Sequence, residues 1–254
     1  MVNFYHYTAV NSVNKGLDDL FFYRSNNASL RYNYGDYRNL TSFSIGANYN
    51  QTNGSLVNKL SFENNMVYNN LLINHRNSNS ITLFGDVDYY LKPIKSSIKL
   101  KSAYNFGEGY FLNQSNLEEY KNQQLNLEVS LASGFRDFFN YKLSNQYRYN
   151  SIQSFYKNSD FSLKTKLETF FNFNKITLNN VIIRTYLSNV DKEIYFFDSD
   201  LRYNFSDKIQ FSIKGRNLFN EKTYSIFQYN ITNEVNSTYK INPRYILFSM
   251  KYKF

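Results

Sequence analysis

Few residues of this sequence are of the types that support catalysis or metal binding. The 254-residue chain contains two histidines, His6 and His75, and no cysteine, so neither a thiolate nor a multi-histidine metal site is indicated. His75 has Asn74 and Ser78 close by in the sequence, and a hydrolase could use a serine, a histidine and an asparagine. Such sites are assembled by three-dimensional geometry rather than by sequence neighbours. We therefore interpret His75 as a surface-loop residue and expect no catalytic residues, no metal site and no cofactor.

Charged residues recur at alternate positions and predict ion pairs between neighbouring strands. Opposite charges placed across two antiparallel strands attract one another and help to fix the register. Pairing Leu91 with Ser96 around one short connection aligns two such pairs, and pairing Asn204 with Lys208 around another aligns a third. The predicted pairs are Asp86 with Lys101, Asp88 with Lys99, and Asp198 with Lys214. We interpret them as the neutralised wall of a wet lumen rather than as a solute-binding site.

The segments that carry these charges alternate apolar and polar residues with a period of two, which is typical of strands with two different faces. One run places polar residues between the apolar residues Ile81, Leu83, Val87, Tyr89 and Leu91. Tyr and Phe, which number 25 and 24, favour strands. Each run is close to the roughly 9–11 residues that a tilted strand needs to cross a bilayer. The sequence predicts an all-β fold in which residues 1–254 form one antiparallel, up-and-down transmembrane β-barrel region of about 12–14 strands.

The connections between the predicted strands alternate in length. Lys92–Lys95, Asn172–Lys175 and Ser206–Lys208 are short, whereas Gly107–Asn122 and Asn220–Ile241 are long. Aromatic residues gather where the runs end, which suits side chains at two membrane interfaces. A soluble sandwich would also alternate apolar and polar residues, but short turns on one side and long loops on the other are typical of transmembrane barrels.

The net charge of +9 comes from basic residues that are spread singly along the chain. Because no block of lysines and arginines occurs, we do not expect nucleic-acid binding. No run of about 18 apolar residues is present, which excludes a transmembrane helix but not a transmembrane barrel. The segment Met1–Gly16 lacks the features of an export signal. We expect either that such a signal has been removed or that the chain is the C-terminal piece of a longer protein.

The C-terminal stretch resembles the end of TonB-dependent outer-membrane receptors. The resembling text is GRNLFNEKTY at Gly215–Tyr224 and YKINPRYILFSMKYKF at Tyr239–Phe254. In that family the penultimate strand typically ends in Asn-Leu-Phe followed by a Tyr, and the final strand starts near Pro-Arg and ends in an aromatic residue. The matching residues are Asn217, Leu218, Phe219, Tyr224, Pro243, Arg244 and Phe254. Tyr252 and Phe254 also resemble the signal that the barrel-assembly machinery reads, although Ser249 stands where that signal usually has Gly.

The resemblance implies a protein of the bacterial outer membrane that contacts lipid and imports a scarce solute of the siderophore, vitamin, glycan or peptide class. Family members have an N-terminal plug and a barrel of about 22 strands, of which this chain would be the C-terminal part. TonB would be contacted only through the missing N-terminal region, and the solute through the two long loops and the lumen-facing polar residues. Two alternatives stay open: a complete smaller barrel that acts as a passive pore, and, with less support, an outer-membrane hydrolase.

The alternation in the last strand predicts which side chains face outward. Outward-facing residues are Ile246, Phe248, Met250, Tyr252 and Phe254, and inward-facing residues are Lys251 and Lys253. We also expect few helical residues and antiparallel pairing of sequence neighbours throughout. Because about 12–14 strands cannot complete a barrel with the curvature of about 22, the sheet should stay open at its first strand and at Ile246–Phe254.

Overall fold

The chain is all-β in the computed structural model. The structure describes residues 5–9, 12–15, 22, 24–36, 38–63, 66–113, 116–134, 138–229 and 234–253. Its strands are β1 (Tyr5–Ala9), β2 (Ser12–Lys15), β3 (Arg24–Asp36), β4 (Thr41–Glu63), β5 (Met66–Leu91), β6 (Ser96–Asn113), β7 (Asn116–Ser133), β8 (Phe139–Gln153), β9 (Lys157–Phe173), β10 (Ile176–Leu187), β11 (Lys192–Asn204), β12 (Ile209–Arg216), β13 (Thr223–Tyr229), β14 (Glu234–Lys240) and β15 (Tyr245–Tyr252). In this part of the chain, the one helix is the 3₁₀ turn Lys92–Ile94. No helix of the described residues has the length and apolar character that crossing a membrane would require.

Most of the strands form a single up-and-down antiparallel sheet of 13 strands. Each strand from β3 to β11 pairs with the next one along the chain, and β12 pairs with β15. The remaining strands β13 and β14 pair only with each other and form a two-stranded hairpin between β12 and β15. The predicted all-β, up-and-down arrangement and the predicted scarcity of helix are confirmed.

One contact departs from the antiparallel pattern. Strand β2 lies parallel to the start of β5, from Ser12 opposite Val67 to Lys15 opposite Asn70, so the expectation of antiparallel pairing throughout is wrong here. The pairing of β5 with β6 reaches no further than Asn79, which leaves that side of residues 66–70 open. Strand β2 fills this edge and satisfies backbone groups that would otherwise lack partners.

One end of the sheet, which we call the turn end, carries the short connections. Leu91 pairs with Ser96 across the 3₁₀ turn, as the sequence predicts. The turn between β3 and β4 is closed by Asp36, whose carboxylate accepts hydrogen bonds from the Asn39 side chain at 2.7 Å and the Arg38 backbone N–H at 2.9 Å. These hydrogen bonds lower the pKa of Asp36 because they favour its charged form, and the hydrogen bond from Asn39 has the largest effect.

The opposite end, which we call the hairpin end, carries extended hairpins instead of the predicted long loops. The segment Gly107–Asn122 is wrongly predicted as a loop, because β6 and β7 stay paired from Gly107 opposite Asn122 to Asn113 opposite Asn116. The segment Asn220–Ile241 likewise contains β13 and β14. The residues of these segments pair their backbone groups with a neighbouring strand, which makes the projections ordered ladders.

The apolar side chains of the sheet share one face, and this face is exposed. Cross-strand neighbours on it include Phe43, Val87, Leu100 and Val129, which are 37%, 39%, 40% and 45% exposed. Among the described side chains, the buried apolar residues are only Val57 and Ile194. The sheet is therefore a single layer without a hydrophobic core. We call its two sides the apolar face and the polar face.

A row of amides marks where the apolar face stops toward the hairpin end. Asn26, Gln51 and Asn79 directly follow the apolar-face positions Ala28, Tyr49 and Ile81 of β3, β4 and β5 and lie opposite one another across these strands. The Asn26 amide donates to the Gln51 side-chain oxygen at 3.5 Å, and the Tyr49 hydroxyl donates to the Asn79 side-chain oxygen at 3.3 Å. On β5 the apolar face thus extends from Ile81 to Leu91.

The last strand places its alternate side chains as predicted. Ile246, Phe248, Met250 and Tyr252 lie on the apolar face and are 70%, 69%, 62% and 47% exposed. The Phe248 ring stacks on that of Phe211, a neighbour on β12, at 6.2 Å between centroids. Lys251 lies opposite Gln210 on the polar face. Phe254 lies outside the described residues.

The sheet does not close on itself within the described residues. Strand β3 has β4 as its one neighbour, and β15 has β12 as its one neighbour. The expected open edges at the first strand and at Ile246–Phe254 are therefore present in this part of the chain, at β1, whose one neighbour is β2, and at β15. Strand β3 is a further edge that was not predicted.

The turn after β5 contains a strained residue that can be tested. Lys95 has a left-handed φ of 47°, which costs a non-glycine residue about 1–2 kcal/mol. We expect Lys95→Gly to stabilise the sheet by up to about 1 kcal/mol and Lys95→Val to destabilise it by at least as much. Urea unfolding measures both. Equal stability of the two variants would contradict the assigned turn.

Candidate functional site

Charged side chains of neighbouring strands meet on the polar face. Asp88 lies opposite Lys99, in the predicted register, and the Lys99 Nζ is 2.6 Å from the Asp88 Oδ2. Asp86 lies opposite Lys101, also in the predicted register. The two pairs follow directly from the Leu91–Ser96 turn, because a fixed turn sets every later pair of an antiparallel ladder.

The Asp86 carboxylate has a different hydrogen-bond partner from the one predicted. It accepts a short hydrogen bond from the Ser44 hydroxyl of β4, and the Ser44 side chain is buried. The Arg31 guanidinium of β3 lies on the other side of Ser44, with its Nη2 3.5 Å from the hydroxyl. A chain of polar contacts therefore crosses β3, β4 and β5, and sequence alternation alone missed Ser44 because serines are common throughout the chain.

The third predicted pair is wrong in its partners. Asp198 is not opposite Lys214; the residue opposite Lys214 is Asp200. The β11–β12 turn is longer than predicted, because Ser206 and Ile209 exchange backbone hydrogen bonds and the Ser206 hydroxyl accepts from the Ile209 N–H at 3.2 Å. This shifts the register by two residues and keeps all the charges on the polar face.

Arg216 is the basic partner of both aspartates in place of Lys214. Its guanidinium binds Asp200 with two nitrogens, one of them at 3.1 Å from Oδ2, and its Nε lies 4.0 Å from the Asp198 Oδ2. The Asp200 side chain is 14% exposed, against 38% for Asp88 in its pair with Lys99. The bidentate and better shielded pair is the stronger of the two.

A cleft of about 480 Å³ lies on the polar face near the turn end. Three lysines, Lys99, Lys101 and Lys142, line it together with Glu128 and several small polar residues. The Glu128 carboxylate accepts a hydrogen bond from the Gln146 amide at 3.2 Å. Chemically, the cleft is a hydrated polar surface that offers ammonium and hydroxyl hydrogen-bond donors. Such lysines in water attract anions weakly.

The C-terminal family-like residues form a structural junction around Asn217. Asn217 is 6% exposed, and its amide donates to the backbone carbonyls of Glu221 at 2.8 Å and Asn242 at 2.9 Å. Its side-chain oxygen accepts from the Glu221 N–H at 2.9 Å, and its own N–H donates to Asp198 at 2.8 Å. Asn217 thus joins the end of β12 to both ends of the segment that carries β13 and β14, and we call it the loop clasp.

The neighbours of the loop clasp pack in the same junction. The Leu218 side chain lies over Gly215, where an added Cβ would come within 2.9 Å of it and would displace it. The Phe219 ring lies 5.6 Å from that of Phe197 on β11. Tyr224 pairs with Tyr239 in the β13–β14 hairpin.

The Pro-Arg pair starts the last strand. Pro243 and Arg244 directly precede β15, and the Arg244 N–H donates to the Asn220 side-chain oxygen at 3.1 Å. Tyr252 lies opposite Ile209 near the turn end. These residues connect the junction to the final strand, and none of them belongs to the polar cleft.

The histidine grouping considered from the sequence is not brought together. His75 lies in β5, not in a loop, and successive side chains of a strand point to opposite faces. Asn74 and Ser78 therefore lie on the other face from His75, and the Asn74 amide donates to Ser55 instead. The side chain of His6 lies outside the described residues. Over the described ranges, no group of three or more His, Asp or Glu residues is arranged to hold a metal ion.

Comparison of the sequence with models of known protein families found no match, and no curated protein is significantly similar to it. The resemblance to TonB-dependent receptors therefore rests on the C-terminal residues named above, and its functional content is a proposal.

The loop clasp can be tested by shortening its side chain. We expect Asn217→Ala to destabilise the protein by about 1–3 kcal/mol, because three backbone groups lose their hydrogen bonds to a buried side chain. The segment 221–242 should also become more sensitive to protease. Asn220→Ala is the matched control, since Asn220 also has a positive φ but its side chain accepts only the Arg244 hydrogen bond. Equal effects of the two substitutions would contradict the special role of Asn217.

Proposed function

We propose that this chain forms part of the wall of a bacterial outer-membrane β-barrel and that it is the C-terminal barrel portion of a TonB-dependent receptor that imports a scarce solute. The observation that carries the proposal is the exposed apolar face of a sheet with almost no buried apolar side chain among the described residues. Exposed apolar area costs roughly 25 cal/mol per Å² in water. Lipid removes this cost on the apolar face and leaves the polar face to an aqueous lumen.

The length of the apolar face supports a membrane location. On β5 it covers Ile81–Leu91, which at about 3.3 Å per residue is roughly 36 Å along the strand. A strand tilted by about 45° converts this length into roughly 25 Å of height, which equals the apolar band of outer-membrane barrels.

The borders of the apolar face also suit a membrane. Aromatic rings cluster at the turn end, where Phe138 lies 4.7 Å from Phe173 and Phe139 lies 4.8 Å from Phe171. Such rings favour the interface between lipid and water. At the border toward the hairpin end, the amide side chains of Asn26, Gln51 and Asn79 begin where side chains would meet water again.

The import part of the proposal depends on the C-terminal resemblance. The hairpin end, with the β13–β14 hairpin held by the loop clasp, is the side from which long segments would reach an external solute. The polar face supplies a hydrated wall along which a polar solute could pass. Energy would be supplied by TonB through a plug region that is not part of the described sheet.

A pair of substitutions on adjacent residues tests the membrane location. Leu83 is 48% exposed on the apolar face, one apolar position inside its border at Ile81, and Thr82 lies on the polar face. We expect Leu83→Arg to destabilise the membrane-inserted protein by about 1–2 kcal/mol, because arginine would enter the lipid between the interface, where it costs roughly 0–1 kcal/mol, and the midplane, where it costs about 2–4 kcal/mol. Thr82→Arg should have little effect. Unfolding in lipid vesicles measures both, and equal tolerance of the two arginines would exclude a lipid-facing Leu83.

Deletion of the gene tests the import function. We expect growth on one limiting solute to fail in the deletion strain and to fail equally in a strain that lacks TonB. Uptake measured with a labelled solute should saturate, because a receptor has a finite number of sites. Uptake that rises linearly with concentration and does not need TonB would indicate a passive pore instead.

A further inference from the structure

Two clefts on the polar face join into one groove. The cleft of about 480 Å³ near the turn end and a second cleft of about 230 Å³ toward the hairpin end share Lys101 and Glu128 in their linings. The floor is formed by β7, where Ser130 is 7% exposed, and β6 and β8 flank it at roughly 10 Å from each other. The charged residues that line what we call the basic groove are Lys99, Lys101, Glu128, Lys142 and Arg148.

Most cations of the basic groove lack an acidic partner. Lys99 forms an ion pair with Asp88. Within the described part of the chain, Lys101, Lys142 and Arg148 form no ion pair. The side chains of these three residues are exposed. The groove therefore carries unpaired positive charge along its whole length.

Lys101 lacks an ion pair for a structural reason. Asp86 lies directly opposite it, but the Asp86 carboxylate accepts the hydrogen bond of the buried Ser44 hydroxyl instead. Ser44 belongs to β4, which lies on the other side of β5 from Lys101. The Ser44 hydroxyl thus holds the carboxylate away from the ammonium group. This leaves Lys101 available at the point where the two clefts join.

The acidic residue of the groove, Glu128, restricts the kind of ligand. A small anion with one charge beside Lys101 would also lie near the Glu128 carboxylate, which would repel it. A solute with several negative groups could also reach Lys142 at one end of the groove and Arg148 at the other. Each cation alone attracts anions weakly in water, but cations that line one cleft add their fields.

We infer that the basic groove binds a dissolved multivalent oxyanion, with two or more phosphate, sulfate or carboxylate groups, and that Ser44 keeps Lys101 available for this ligand by holding Asp86. The inference rests on the proposed function, because it takes the polar face as the wall of a hydrated lumen, and it names the chemical class of the solute. The ligand is a dissolved solute rather than a lipid headgroup, since the groove lies on the face away from lipid.

Titration with inorganic phosphates tests the groove. The full chain is purified in detergent, its strand content is checked by circular dichroism, and binding is measured by calorimetry at about 0.01 M ionic strength, where the screening length is about 30 Å. We expect tripolyphosphate to bind at least about tenfold more tightly than orthophosphate, because it reaches several cations at once. Equal affinities for the two phosphates, or no binding of tripolyphosphate, would overturn the inference.

Two lysine substitutions separate the groove from the net charge of the protein. We expect Lys101→Gln to weaken tripolyphosphate binding about tenfold, because a charge-assisted hydrogen bond is lost. Lys214→Gln is the matched control, since Lys214 lies opposite Asp200 on the polar face of β12 and outside the groove. It removes the same charge and should change the affinity less than about twofold. If both substitutions weakened binding to the same extent, the probe would be responding to net charge alone and the groove would not be a site.

A substitution that changes no charge tests the positioning role of Ser44. We expect Ser44→Ala to weaken tripolyphosphate binding by up to about fivefold, because Asp86 would then pair with Lys101. Ser44→Thr keeps the hydroxyl and should retain the affinity. Ser42→Ala is the matched control, since Ser42 lies opposite Asp88, which already has an ion pair.

A double-mutant cycle shows whether Ser44 acts through Lys101. In a protein that already carries Lys101→Gln, the Ser44→Ala substitution should have no further effect on binding. A loss of affinity that persists in this background, or no loss in the presence of Lys101, would refute the role assigned to Ser44.

These measurements are separate from the test of import. Binding to the purified protein needs no TonB, so a failure of tripolyphosphate to bind refutes the oxyanion class and leaves TonB-dependent uptake of another solute open. Linear uptake that does not need TonB refutes the import proposal, and the measured affinities of the groove then still decide the inference.

Discussion

The backbone hydrogen-bond ladder between neighbouring strands is the interaction on which the rest of this structure depends. Because Val57 and Ile194 are the only buried apolar residues among those described, side-chain packing does not hold the sheet together as it does in a two-layer protein. Each strand instead satisfies its neighbours' N–H and C=O groups. In the proposed membrane location, lipid would cover the apolar face of this single layer, whose exposure to water would otherwise cost roughly 25 cal/mol per Å².

Side chains act on this ladder mainly by fixing its register. A slip of one residue would move every charge of the polar face into the apolar face, so even weak pairs have a large effect on register. Asp88 and Lys99 are half exposed and contribute about 0–1 kcal/mol. Arg216 and Asp200 are better shielded and form a bidentate pair near the junction at Asn217, where the chain leaves the sheet and later returns.

The alternation of residues was sufficient to predict the faces of the strands, but local turn chemistry decided the details. The pairs at Asp86 and Asp88 were predictable because the Lys92–Lys95 turn is short and contains a proline. The partner of Asp198 was not predictable. The Ser206 hydroxyl takes part in the hydrogen bonds of the longer β11–β12 turn, and the alternation of residues does not reveal such bonds. The strands within Gly107–Asn122 were missed because glycine and polar residues interrupt the alternation there, at Gly107–Gly109 and Asn113–Asn116. The part played by Asn217 was hidden because its side-chain partners are backbone N–H and C=O groups, which carry no sequence signal.

Because of the loop clasp, the length of the segment between β12 and β15 does not affect the geometry of the sheet. Asn217 holds the chain at Glu221 and again at Asn242, so the ends of the intervening segment are fixed whatever lies between them. Doubling the length of a flexible loop with fixed ends costs only about 0.6 kcal/mol in closure entropy. The segment between Glu221 and Asn242 can consequently be lengthened, or can accept a grafted binding sequence, without moving the last strand out of register.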